Sequence, residues 1–487
     1  MVGPRAERIN IPLRRVAVVC GVMLFALLGR VTVIQAFEAE RLREDKRNVR
    51  ALIARFDHPR GRLLLRDGTV IAESVRTLRS TYRYRRAYPA GRVFAPVTGY
   101  LSFFSRAGLE RAEDAVLAGT AARVRVRSLA RGGVMAGASL KLTVDGRIQR
   151  AAYEGLRATG RAGAVVALNP ATGAILAMAS YPSFDPAAFA DVDMKGLVAT
   201  DRRMQSDPAQ PLLNRALART FPPGSTFKIV TGAAALRSGD YSPGGGVRAP
   251  VALRLPGTRV SLRNAEGAAC GDGEPSLTYA FQASCNTAFA GIGLDLGQRR
   301  LRAQAERFGF NADDLVVPMP VAVSGFPAKM DKAQSAMAAI GQYDVRATPL
   351  MVAMLSAAVA NGGVLMRPYL VEEVLLPDGA VIDSAEPSRY RDTMSEEVAD
   401  ALTAMMVKVT QRGGTGRAAA VRGVKVAAKT GTAENAEGGR SHALISAFAP
   451  AGDPRVAVGV LVEEGGAGGK VAAPIARAVI RAALSAS

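Results

Sequence analysis

Three short segments carry residue types suited to acyl-transfer chemistry. The first is Pro222-Pro223-Gly224-Ser225-Thr226-Phe227-Lys228. Its prolines and glycine forbid a helix upstream, and a helical stretch then runs to about Arg237, with Gly239 able to end it. A three-residue step on a helix brings Ser225 and Lys228 onto one face. The helix N-terminus favours negative charge developing near the hydroxyl. A lysine whose pKa is lowered by burial or by cationic neighbours can take the hydroxyl proton. The second segment, Ser284-Cys285-Asn286, lies between two helical runs. Its hydroxyl is suited to relaying a proton and its amide to holding a peptide group. The third, Lys429-Thr430-Gly431-Thr432, ends or interrupts a strand beginning near Val424. Its glycine permits close approach of backbone or ligand, and a lysine with two threonines would bind a carboxylate.

Taken singly, each segment also has a structural reading. Ser225 can be a helix N-cap beside a surface lysine, Asn286 an ordinary N-cap, and Lys429–Thr432 an exposed edge strand with a turn. Composition narrows the choice. The only histidines are His58 and His442, which leaves no His-based triad and no multi-His metal site. The cysteines are Cys20, Cys270 and Cys285, without a CxxC pair, so no structural zinc is expected. No metal or other cofactor is called for. Nucleophilic chemistry in this chain must use a base other than histidine.

The elements that would position these segments can be read from the apolar pattern. Ala164–Leu168 and Ala174–Ser180 are strand-like and joined by Asn169-Pro170-Ala171-Thr172-Gly173, good turn chemistry for a hairpin. An alanine-rich helical middle follows. Three further strand candidates are Val424–Thr432, Ala443–Ala449 and Arg455–Glu463, with turns at Asn435–Gly439 and Ala451–Pro454. The chain closes with an apolar helix, Ala472–Leu484. Two strands, a helical block, three strands and a helix predict an α+β fold: a mixed antiparallel sheet packed on helices. Residues 38–145 read instead as an irregular β-rich module with turns at Pro59-Arg60-Gly61 and Asp67-Gly68, a spacer or docking domain.

Val16–Phe37 is apolar enough, at 22 residues, to span ~30 Å of hydrocarbon as a helix. Arg5, Arg8, Arg14 and Arg15 precede it, which places residues 1–15 in the cytoplasm and the body outside. Val16–Gly29 alone would suit a cleaved signal peptide, but apolar residues resume after Arg30 and no clean A-x-A site follows. An uncleaved anchor at 16–37 is the reading adopted. The formal net charge of +21 favours anionic partners. It is spread along the chain without a zinc-finger, aromatic-basic or basic heptad pattern, so nucleic acid is not expected. Outside the membrane disulfides persist, and Cys270 lies in the flexible loop Gly267–Gly273. A Cys270–Cys285 bridge is therefore expected; two free thiols are the alternative.

The three segments in this order form the joint signature of penicillin-binding proteins and class A β-lactamases, with gaps of about 55 and about 140 residues between them. The chain resembles a class B penicillin-binding protein of the short penicillin-binding protein A type, over nearly all 487 residues. Arg60-Gly61 with Arg66-Asp67-Gly68 resembles the family's first N-terminal motif, and Gly108-Leu109-Glu110 its docking-domain element. Gly163–Pro186 is similar to its first two transpeptidase strands, and Phe221–Lys228 to its nucleophile motif. Ser441-His442-Ala443 and Phe448-Ala449-Pro450 resemble the strand after K-T-G, although Leu444-Ile445 stands where two aromatics are usual.

The resemblance implies the penicilloyl-serine transferase fold, with a five-stranded antiparallel sheet in a transpeptidase domain at 146–487. It implies a peptidoglycan D,D-transpeptidase in which Ser225 attacks the penultimate D-Ala carbonyl and Lys228 takes its proton. Backbone N–H groups of Ser225 and Thr432 would form the oxyanion hole. Ser284 would relay the proton, Asn286 hold the donor amide, and Lys429, Thr430 and Thr432 engage the carboxylate. β-Lactams would acylate the same serine. A polytopic membrane glycosyltransferase of the SEDS family is the implied companion. The rival readings are a β-lactamase or β-lactam sensor, and a non-catalytic cell-wall scaffold. The long N-terminal module argues against the first, the absence of H-E-x-x-H against a sensor with a protease half, and the three intact motifs against the last.

Overall fold

The computed structural model describes residues 4–38, 56–77, 82–130, 136–190, 194–267, 269–434 and 439–485. Its main sheet has five strands in the spatial order Ala427–Ala433, His442–Ala449, Val456–Val462, Gly163–Leu168, Ile175–Tyr181. Every neighbouring pair is antiparallel. The hairpin Gly163–Tyr181 thus pairs with the last strand, Val458 opposite Ala167 and Val460 opposite Val165. All residues of His442–Ala449 and Val456–Val462 are buried, so both faces are covered. That is why these strands read as unbroken apolar runs rather than as alternating ones.

One face carries the helix Pro349–Ala360, whose apolar residues are buried all round. It lies so close that a Cβ on Gly459 would stand 2.4 Å from the Ala353 nitrogen. The other face carries the terminal helix Gly468–Ser485 and, packed on it, Gly146–Thr159, which Asp145 caps through the Arg147 and Ile148 amides. The expected strands appear with ends shifted by a few residues. The third begins at Ala427 rather than near Val424. It also runs through Gly431, which pairs with Leu444, so K-T-G neither ends nor interrupts it. Of the turn expected at Asn435–Gly439, residues 435–438 lie outside the described residues.

A second sheet has six strands in the order Val381–Ser384, Val371–Leu375, Ser139–Leu142, Leu63–Leu64, Val70–Arg76, Tyr84–Ala87. The first two come from far downstream, and Val374 pairs with Leu140. The segment 38–145 is therefore knitted to the rest through a shared sheet, and it carries short helices such as Gly108–Ala112 and Ala122–Ala130 beside its strands. Near its centre Glu110 accepts hydrogen bonds from Arg60 Nε and Arg86 Nε, both at 2.6 Å, and all three side chains are buried. Arg60 also reaches Asp114 at 2.6 Å.

The N-terminal helix runs Pro4–Val33 and continues as one π turn, Ile34–Glu38. Its apolar stretch, Ile11–Glu38, is long enough to cross a membrane and none of it is buried against the protein. Arg30 turns outward along the helix to Glu38, at 3.5 Å.

Candidate active site

The nucleophile turn is wedged between two backbones. Gly224, at φ +50°, donates its N–H to Gly341 O at 3.0 Å. A Cβ there would lie 2.8 Å from Thr432 O, so the position requires glycine both by conformation and by space. Gly224–Phe227 forms a single 3-10 turn, and the α-helix proper is Lys228–Ser238, ending at Gly239 in the left-handed region. The helix thus begins three residues later than the spacing predicts. Thr226 Oγ1 donates to Pro223 O at 2.7 Å, and the Phe227 ring is clamped between Phe310 and Phe326 at 5.4 and 5.6 Å. Ser225 is left half-buried at the open side of this anchored turn, while Lys228 is wholly buried.

Lys228 Nζ donates to Ser284 O and to Asn286 Oδ1, each at 2.8 Å, and to Ser284 Oγ at 3.3 Å. Lys429 Nζ, also wholly buried, donates to Ser284 Oγ at 2.8 Å and to Thr430 O at 3.1 Å. Two lysines from distant parts of the chain therefore converge on one serine hydroxyl. Among the described residues no carboxylate forms an ion pair with either. Phe289 and Phe281 face the two ammonium groups at 5.4 and 5.5 Å. Burial without a counter-charge disfavours the charged forms. Burial, and then the like charge of Lys429, pushes Lys228 well below the ordinary lysine value. Burial lowers Lys429 to about 7.

Ser284 holds φ +61°, an unfavourable conformation for a residue with a Cβ. It sits between the helices Leu277–Gln282 and Asn286–Arg307. The N-cap of the second helix is Cys285, not Asn286, and the Cys285 side chain makes no capping bond. That leaves the Asn286 side chain for Lys228 and for Arg263 O, to which Nδ2 donates at 3.3 Å. The sulfurs of Cys270 and Cys285 are at bonding distance, with the Cα atoms 6.0 Å apart.

On the third strand, Gly431 faces the nucleophile turn; a Cβ would meet Pro223 O and Thr226 Cγ2 at 3.0 Å. Thr430 is buried and its Oγ1 lies 2.6 Å from Thr415 Oγ1, while Thr432 is exposed. The structure thus draws Lys228, Ser284, Asn286 and Lys429 into one hydrogen-bonded cluster, and packs the Ser225 turn against Gly431 and Thr432. The arrangement offers a hydroxyl on an anchored turn, a proton-poor amine one helical turn away, and a hydroxyl bridging two amines.

Residues 163–481 match the family model for the penicillin-binding protein transpeptidase domain. Residues 60–139 match that for the penicillin-binding protein A dimerisation domain. A peptidoglycan D,D-transpeptidase, PbpA, of Mycolicibacterium smegmatis is 44% identical over 98% of this chain and 99% of its own length. This chain belongs to the penicillin-binding protein transpeptidases. The PbpA of Mycobacterium tuberculosis is 42% identical over 98% of this chain and 99% of its own. A solved structure of penicillin-binding protein A from M. tuberculosis, a ceftriaxone acyl-enzyme complex, superposes with a TM-score of 0.84 at 40% identity, covering 89% of this chain and 100% of that one.

Within this penicillin-binding protein three contributors to the cluster escaped the sequence reading. Thr415 lies in Gly413-Gly414-Thr415-Gly416, a glycine-rich run with no chemistry of its own. Gly341, at φ +73°, buttresses the nucleophile turn from a helical region. Asn264 caps the Asn286 helix from outside, its Oδ1 accepting from Thr287 N at 3.0 Å. No short-range spacing links any of these to the motif it touches.

Proposed function

We propose that Ser225 is the acylated nucleophile, activated by neutral Lys228, in a reaction that cross-links peptidoglycan stem peptides. The chain is a serine-type peptidoglycan D,D-transpeptidase of the penicillin-binding class. The observation that carries the residue assignment is the pair of wholly buried lysines meeting on Ser284 Oγ, with no carboxylate among the described residues paired to either.

A lysine kept neutral by burial accepts the Ser225 proton as Oγ attacks the penultimate D-Ala carbonyl of a donor stem. The carbonyl oxygen takes the negative charge, and the backbone N–H groups of Ser225 and Thr432 donate to it. The C–N bond breaks as Ser284 Oγ gives a proton to the departing D-Ala amine and is reprotonated through the lysine pair. Lys429, with Thr430 and Thr432, takes the terminal carboxylate, whose charge raises the proton affinity of Lys429 so that it takes up a proton from solvent as the donor binds. Asn286 uses its remaining N–H on the donor stem. The amine of a second stem then attacks the acyl-enzyme. A β-lactam follows the first half, but its opened ring stays attached, so the leaving group blocks the second attack.

The Arg-rich N-terminal end of the anchor is cytoplasmic and the body extracytoplasmic. There the Cys270–Cys285 bridge forms, and the anchor and the 38–145 module contact a polytopic glycosyltransferase that supplies glycan strands. Mass spectrometry of the protein incubated with a fluorescent penicillin tests the central assignment. One adduct on the peptide carrying Ser225, absent from Ser225→Ala of unchanged melting temperature, is the expected result. An adduct on another residue would sink it. A label that persists for hours distinguishes this reading from a β-lactamase, and protease digestion of intact spheroplasts checks the topology.

A further inference from the structure

The second motif supplies no helix cap of its own. Ser284 sits in the left-handed region, and the helix after it starts at a cysteine with no side-chain cap. An uncapped helix leaves amide N–H groups unsatisfied and its first residues free to fray. Asn286 is the first residue of that helix, so fraying would move the very amide that touches Lys228.

A distant hairpin supplies what is missing. Its strands, Ala252–Arg254 and Ser261–Arg263, pair with Leu253 opposite Leu262. The residue after the second strand, Asn264, accepts from Thr287 N at 3.0 Å and from Thr287 Oγ1 at 3.2 Å. Its own Nδ2 donates to Pro250 O at 3.5 Å, at the base of the first strand. One residue earlier, Arg263 O accepts from Asn286 Nδ2 at 3.3 Å. An amide whose Nδ2 is held this way must turn Oδ1 the other way, and Oδ1 is the atom bonded to Lys228 Nζ at 2.8 Å. The hairpin end therefore sets both where the helix begins and which edge of the Asn286 amide faces the lysine.

We infer that Asn264 is a positioning residue for acylation, capping the helix of Asn286 in trans so that the Asn286 amide stays aligned on Lys228. The inference rests on the reading of Ser225, Lys228 and Asn286 given above. Asn264 need not touch substrate; its effect passes through Asn286. Asn and Asp are comparable helix caps and Ala is a poor one, so the acceptor is what matters.

The test is a double-mutant cycle on the full-length protein, read as the second-order rate of acylation by fluorescent penicillin below the melting temperature of every variant. Asn264→Ala slows acylation roughly tenfold to a hundredfold, the scale of a misplaced reacting group. Asn264→Asp recovers the wild-type rate to within about threefold, because it keeps the cap. In an Asn286→Ala background the Asn264→Ala change has no further effect. Asn264→Leu, similar in volume and without an acceptor, serves in the cycle should Asn264→Ala fail to fold. Equal losses in both backgrounds, or no rescue by Asp, would overturn the inference while leaving the catalytic reading standing. An Asn286→Ala variant that acylates at the wild-type rate would instead overturn the assigned role of Asn286, and this inference with it.

Discussion

Two buried clusters of charged side chains lie in this molecule, and they are built on opposite plans. In the N-terminal module Arg60 and Arg86 share Glu110, and Arg60 and Arg106 both reach Asp114. Burial alone would raise the Glu110 carboxyl, but Arg86 and Arg60 outweigh it and hold it below the ordinary value. In the transpeptidase domain Lys228 and Lys429 are equally buried and have like charge, with only neutral oxygens as hydrogen-bond partners among the described residues. A buried charge that is paired locks a structure, because removing one partner strands the other. A buried cation that is unpaired sheds its proton instead, which makes it a base near neutral pH. The first plan yields rigidity and the second reactivity.

Lys228→Met attacks the reactive cluster directly. It removes the buried amine that acts as base while keeping the volume, so acylation by penicillin falls by about 10²–10⁴. The melting temperature stays unchanged or rises. Parallel acylation kinetics and thermal melts check both halves; a large drop in stability would mean that Lys228 is structural.

Glu110→Gln attacks the paired cluster. It leaves two buried guanidinium groups without their shared counter-charge and destabilises the protein by about 3–5 kcal/mol. The fraction that remains folded acylates at the wild-type rate. Denaturant titration gives the first quantity and active-site titration the second. A stable but slowly acylating Glu110→Gln protein would erase the distinction between the clusters.

The Cys270–Cys285 bridge, 15 residues apart in sequence, borders the reactive cluster at Ser284. Cys270→Ser is expected to lower stability by roughly 3 kcal/mol in the chain-entropy model. Peptide mapping of exported, non-reduced protein checks that the bridge forms; two freely alkylated thiols would remove it from the account.

The smallest effects separate the clusters by pH. Both lysines bind protons less readily folded than unfolded, so their contribution to stability is full above the ordinary 10.5 and declines as pH falls, for Lys429 to about 7. The depressed Glu110 contributes above the ordinary 4.5, and that contribution is lost as pH falls through its folded value. Melting temperatures of Lys429→Met should therefore lose slope between pH 10.5 and about 7. Those of Glu110→Gln should lose slope only in acid. Acylation rises with pH as Lys228 loses its proton and falls as Lys429 does from about 7 upward, and Lys429→Ala abolishes the falling limb.

Much of this was legible in the sequence. The proximity of Ser225 to Lys228 is local, three residues apart across a 3-10 turn that leads into a helix ended by Gly239. The five strands show as apolar runs between turn residues, and the anchor shows as an apolar stretch after a cluster of arginines. Arg60 and Glu110 were visible only as members of motifs; nothing in their spacing says that they meet in the interior. Asn264 and Thr415 carried no signal, because each acts on a residue brought to it by folding.

What the sequence alone determined is whatever depends on neighbours along the chain: helix ends, turns, strand periodicity, the membrane-length helix and the absence of a histidine base. The tertiary structure decided that Lys429 reaches Ser284 beside Lys228, that a hairpin at Val371–Ser384 completes the N-terminal sheet, and that among the described residues neither lysine meets a carboxylate. The reason is physical. Propensity and periodicity act over a few residues, whereas the desolvation that turns a lysine into a base is set by every segment packed around it.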